Sequence, residues 1–84
     1  MTKDEIEGRL TEVFRAVFQN DALCLYDEMK AIDVPSWDSL NNVKLVISIE
    51  QEFGFRFNLR EINSLQNVGE LLGLIEKKLQ PARM

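Results

Sequence analysis

The chain has no histidine and only one cysteine, Cys24, among its 84 residues. Without an imidazole there is no Ser-His dyad, no histidine general base and no histidine metal ligand, so a serine here has no internal partner of the usual kind to activate it. A hydrolase built on one of its serines therefore fails for want of a base. One cysteine cannot close an internal disulfide, so nothing points to an oxidising compartment. With no basic neighbour in sequence to make it reactive, Cys24 is expected to be a small buried hydrophobe. No apolar run approaches a membrane span, and the polar start Met1-Thr2-Lys3-Asp4-Glu5 is unlike a signal peptide. The expectation is a soluble, cytoplasmic monomer without stable membrane insertion. Also missing is an excess of base: the net charge is −4, which argues against nucleic acid as a partner and makes a basic protein the more natural one.

What remains is a chain of one domain's length, 1–84, rich in helical periodicity. Thr2 and Glu5 stand at capping-box spacing, and Ile6, Leu10, Val13, Phe14, Val17 and Phe18 recur at three- and four-residue steps, predicting a helix over about 3–18. Periodicity then breaks down from Gln19 to Trp37. Asn20-Asp21 signals a stop and Pro35 a turn, while Leu23, Leu25, Met29, Ile32 and Val34 are spaced like scattered anchors of a loop, with room for a helical turn around Tyr26 to Lys30. Gly54 offers a later helix stop. Asn58 with Glu61, and Asn67 with Glu70, repeat the capping-box spacing ahead of a short segment, about 59–63, and a last helix, about 68–79, whose stripe is Val68, Leu71, Leu72, Ile75 and Leu79. Pro81 closes it. Three longer helices with one short one make an all-α, irregular four-helix bundle.

The informative stretch begins at Asp38, a natural N-cap for a helix over about 39–54. Wound at about 100° per residue, that helix sets Leu45, Val46, Ile49 and Phe53 on one side and Leu40, Val43 and Ile47 nearly opposite. Two apolar stripes mean a helix packed on both sides or one that keeps a side for a visiting partner. Glu50 edges the second stripe on one flank, with Lys44 and Gln51 on the other. The pair Glu50 and Glu52 is expected to belong to a solvated face.

Asp38-Ser39-Leu40, followed by Val43, Leu45-Val46, Ile49-Glu50 and Glu52-Phe53-Gly54, resembles the acyl carrier proteins, whose modified serine stands in an Asp-Ser-Leu motif at the head of the second helix. The resemblance covers nearly the whole chain and accounts for the long first loop. It implies that Ser39 receives 4′-phosphopantetheine from coenzyme A through a phosphopantetheinyl transferase, and that Asp38 caps the helix and helps the transferase engage. The protein would then catalyse nothing itself but would carry acyl or related units as thioesters between acyl-loading and acyl-processing enzymes. Leu40, Val43, Lys44 and Ile47 would contact those partners, and Leu45, Ile49, Phe53, Ile62, Leu65, Val68 and Leu72 would line a space for the acyl chain. Asn41, Asn42, Lys44 and Gln51 stand where the fatty-acid carriers are often acidic. Trp37 replaces a small residue, and Pro35-Ser36 replaces the usual Leu-Gly lead-in. These departures predict a specialised free-standing carrier, for a polyketide, peptide or envelope-lipid pathway, ahead of housekeeping fatty-acid synthesis. The reading from another class is an unmodified helical interaction module that uses the Leu40, Val43 and Ile47 strip.

Overall fold

Each helix begins where a short polar side chain can take up an orphan backbone N–H. In the computed structural model, which describes residues 2–79, α1 spans Lys3–Phe18, α2 Ser39–Phe53, α3 Leu59–Ser64 and α4 Val68–Leu79. Thr2 and Glu5 form a reciprocal capping box at the start of α1, and Asn58 and Glu61 form another at α3. At α4 the device is split. The Glu70 N–H donates to Asn67 Oδ1 at 2.8 Å, but the Glu70 carboxylate reaches one residue further back, to the Gln66 N–H at 2.9 Å. α2 ends one residue before Gly54, which takes the left-handed conformation (φ 77°) and donates its N–H to the Glu50 carbonyl at 2.8 Å. α3 runs one residue past the expected end. Pro81 lies outside the described residues.

α1 is the spine. Its stripe of Ile6, Leu10, Val13, Phe14 and Phe18 is buried against α2 and α4. Leu45, Ile49 and Phe53 enter from α2, and Val68, Leu71, Leu72 and Ile75 from α4. Burying side chains of this size stabilises by about 1.5–3 kcal/mol each. No polar side chain is buried among the described residues. α3 buries no residue fully and lies at the edge of this core. It is held there by its caps and by Lys78 of α4, whose Nζ is 2.9 Å from Glu61 and lies over the Phe55 ring.

The long first connection is anchored at few points. Met29 and Val34 are buried, and Leu23 and Leu25 are partly buried. Ile32, expected to be an anchor, is exposed, because it sits on a 3₁₀ turn over Ala31–Asp33 that points it outward. Around Tyr26 to Lys30 the chain makes a single turn closed by the Met29 N–H on the Tyr26 carbonyl at 3.0 Å, and the 3₁₀ turn follows it. Cys24 is likewise exposed, not a core residue. The loop is fastened through its backbone instead. Arg15 Nε donates to the Leu23 carbonyl at 2.8 Å, and the first two N–H groups of α4, at Val68 and Gly69, donate to the Met29 and Asp27 carbonyls, both at 2.9 Å. Two orphan donors of α4 thus dock the loop.

Candidate functional site

Ser39 is the first residue of α2 and is exposed. Asp38, its N-cap, accepts the Asn41 N–H on Oδ1 at 2.9 Å and the Asn42 N–H on its carbonyl at 2.8 Å. Among the described residues no group accepts from the Ser39 or Leu40 N–H, and the Ser39 hydroxyl has no hydrogen-bond partner. Ser64 and Thr11, by contrast, turn their hydroxyls back onto helix carbonyls at 2.8 and 2.7 Å. The first turn of α2 also contains no acidic residue, whereas those of α1, α3 and α4 do. Its positive dipole end is therefore offset only by the capping Asp38. A free hydroxyl beside two unpaired N–H groups at a helix N-terminus suits a phosphate ester.

The segment leading into Ser39 is held by ring packing and side-chain hydrogen bonds. The Trp37 ring meets Phe14 edge-on at 5.3 Å and Phe18 at 5.7 Å, so this half-buried indole plugs the end of the core. Its Nε1–H donates to Asn42 Oδ1 at 3.0 Å, while Asn41 Nδ2 donates to the Ser36 carbonyl at 2.7 Å. The residues that depart from the family pattern, Trp37, Asn41 and Asn42, thus bond the lead-in to the first turn of the helix that offers Ser39. Nothing in the spacing of these residues revealed that bond. A tryptophan five positions before an asparagine is its only trace.

Behind Ser39, α2 presents Leu40, Val43 and Ile47 to solvent, 66%, 55% and 48% exposed, with Lys44 exposed beside them. Both nearby carboxylates are engaged elsewhere. Glu50, expected on a solvated face, is half-buried and accepts the Phe57 N–H at 2.8 Å, tying the turn after α2 back onto the helix. Glu52 pairs with Arg9 of α1 at 3.3 Å. The strip is therefore apolar with a single cation on it.

A cleft of about 290 Å³ opens between α2, α3 and the loop, and Trp37 and Asn42 bring its wall within a helical turn of Ser39. Of the residues expected to line a space for the acyl chain, Leu45, Ile49, Ile62 and Leu65 border this cleft. Phe53, Val68 and Leu72 do not line it and are packed into the core. Periodicity separates buried from exposed faces but cannot separate the rim of a cleft from the interior beside it. Val46, Phe57 and Leu71 complete the apolar wall. No group of acidic or sulfur side chains able to hold a metal ion occurs among the described residues.

No protein-family model matches the chain. Individual proteins do. It is 31% identical over 78 residues to the acyl carrier protein of Thermotoga maritima, covering 93% of this chain and 96% of that one. Over 79 residues it is 28% identical to acyl carrier protein 2 of Ralstonia nicotianae, covering 94% and 98%. Among solved structures, that of a holo acyl carrier protein from Geobacter metallireducens superposes with a TM-score of 0.83 at 41% identity, covering 87% of this chain and 84% of that one. Sequence and fold matches each cover most of the chain, and the chain belongs to the acyl carrier proteins, which are carriers and not enzymes.

Proposed function

We propose that Ser39 carries 4′-phosphopantetheine and that the protein tethers acyl intermediates to it for presentation to successive enzymes. The observation that carries this reading is the Ser39 hydroxyl, exposed and free of hydrogen bonds at the first position of α2. With no histidine in the chain, the proton on that hydroxyl must be taken by the transferase. The Ser39 oxygen then attacks the phosphorus that bears pantetheine in coenzyme A. The pyrophosphate bond breaks, the nucleotide leaves, and Mg²⁺ in the transferase offsets the charge. Once bound, the group supplies a flexible thiol that holds acyl units as thioesters. Asp38 fixes the first turn of α2, and the Ser39 and Leu40 N–H groups would be the donors available to the ester phosphate. Tethering raises the effective concentration of the cargo for each partner in turn.

Leu40, Val43, Lys44 and Ile47 are the surface we assign to those partners. Release must follow delivery, so a small apolar strip suits a transient contact. Because Asn41, Asn42, Lys44 and Gln51 carry no negative charge, attraction to basic partners is weak along α2, which favours a specialised lipid, polyketide or peptide pathway. A cytoplasmic loading step is part of this proposal. No helix among the described residues is long and apolar enough to cross a membrane.

The test is direct. Apo protein incubated with coenzyme A, Mg²⁺ and a broad-specificity phosphopantetheinyl transferase is expected to gain the mass of one phosphopantetheine, and the Ser39→Ala variant to gain none. A folded wild-type protein whose mass stayed unchanged would overturn the assignment.

A further inference from the structure

The cleft beside Ser39 differs in charge from the rest of the molecule. The chain carries 14 acidic residues against 10 basic ones, yet no aspartate or glutamate lines this cleft, while Lys30 and several amides do. Two of the amides have their orientation set by their partners. Asn42 Oδ1 accepts from the Trp37 indole, and Asn67 Oδ1 accepts from the Glu70 N–H at 2.8 Å. Both partners are donors only, so the oxygens cannot exchange places with the nitrogens. The Asn42 and Asn67 Nδ2 groups are left without acceptors among the described residues, and Lys30 Nζ makes no ion pair there. The floor is formed by Leu45, Ile49 and Leu71, each buried. The cleft therefore joins an apolar floor to lining residues that carry amide donors and one cation, Lys30.

We propose that the cargo sheltered here is a short acyl group ending in a carboxylate, with its methylenes on the Leu45, Ile49 and Leu71 floor and its anionic end at Lys30, Asn42 and Asn67. This rests on the reading of Ser39 as the attachment point. A volume of about 290 Å³ holds roughly ten non-hydrogen atoms, taking about 30 Å³ for a water-sized atom. An adipyl group fits within that. A long saturated chain does not, and it would leave the amide donors facing hydrocarbon, which penalises a buried polar group. Charge-assisted hydrogen bonds are the stronger kind, so the carboxylate selects against a neutral end of the same shape.

Ser39 can be loaded directly from two acyl-coenzyme A donors: adipyl, and 6-methylheptanoyl, in which an isopropyl group replaces the carboxylate. Mass spectrometry verifies each product before the cleft is probed, and an unacylated arm serves as reference. Trp37, the only tryptophan, reports through its emission, and Asn42 and Asn67 report through their side-chain amide resonances. Relative to the reference, the adipyl form is expected to move all three signals, with occupancy about tenfold above that of the neutral form. Lys30→Gln, an exposed loop substitution, is expected to remove most of that difference. Equal or larger changes with the isopropyl end would overturn the proposal, as would no change from the unacylated reference with either acyl form. If no mass were gained at Ser39, the attachment reading would fail first and take this inference with it, a result the mass spectrum separates from an empty cleft.

Discussion

At the scale of single residues, the clearest test of the docked loop is a pair of glycines in one helix. Gly69 donates its N–H to the Asp27 carbonyl, and a methyl group added there would lie 3.1 Å from Asp27 Cβ and 3.2 Å from that carbonyl oxygen. The loop cannot easily retreat, since the adjacent Met29 is 1% exposed and its own carbonyl is bonded to Val68. Gly73, one turn on, would place a methyl group in open space. Alanine gains about 1 kcal/mol over glycine within a helix. Gly73→Ala is therefore expected to raise the unfolding free energy by up to that amount. Gly69→Ala is expected to lower it by about 1 kcal/mol net, as the gain in propensity is outweighed by a strained loop contact and a lengthened hydrogen bond. Urea unfolding of both variants measures the difference. Equal shifts of the same sign would mean that the loop is free to move away from α4.

At the scale of elements, α2 has to serve two surfaces, and its exposed strip can be separated from its buried one by substitution. Val43→Glu and Ile47→Glu fall on half-exposed positions, where stability changes stay within about 0.5 kcal/mol. Loading by the transferase is expected to slow by roughly tenfold, the effect of removing an apolar contact near the centre of a small interface. Thermal melting and a timed mass-gain assay read the two quantities independently. Unfolding by either substitution would show that the strip supports the core. The helices are legible in the sequence because their signals are carried by side chains: Thr2 with Glu5 and Asn58 with Glu61 cap, Asp38 caps, Gly54 stops, and α1 repeats its apolar stripe. The segment between Gln19 and Trp37 is not legible in that way. Its fasteners are the carbonyls of Leu23, Asp27 and Met29, and a carbonyl is present at every residue. Burial at Cys24 and Ile32 is misread for the same reason, since apolar character fixes a direction only where a helix supplies a period. At the site, the position of Ser39 is legible through its cap. The bond from Trp37 to Asn42 and the amide rim of the cleft depend on three-dimensional pairing that no spacing records.

At the scale of the whole molecule, the absence of histidine and the placing of two glutamates set how stability responds to pH. No histidine means that no side chain with an ordinary value titrates between about pH 5.5 and 7.5, so stability is expected to be level there. Below that range, two carboxyls matter. The Thr2 N–H bonded to Glu5 lowers that carboxyl from its ordinary 4.5, with the Thr2 hydroxyl adding to the effect. The Asn58 N–H does the same for Glu61, followed by the Lys78 ammonium. A carboxyl whose folded pKa lies below its unfolded one stabilises the fold above the unfolded value and ceases to do so as pH falls through the folded one. Melting temperature should therefore hold from neutrality down to about pH 5 and then fall as the two capping boxes protonate. Glu61 should matter most for the end of the molecule that bears the cleft, because its carboxylate holds both the start of α3 and Lys78. Glu61→Gln keeps the shape of the cap but removes the charge. It is expected to flatten the acid limb of a melting-temperature profile and to speed amide hydrogen exchange across Leu59–Ser64 at neutral pH, while exchange in α1 is unchanged. Equal loss of protection in α1 would show that α3 unfolds only together with the core, and that no separate fastening by Glu61 and Lys78 exists.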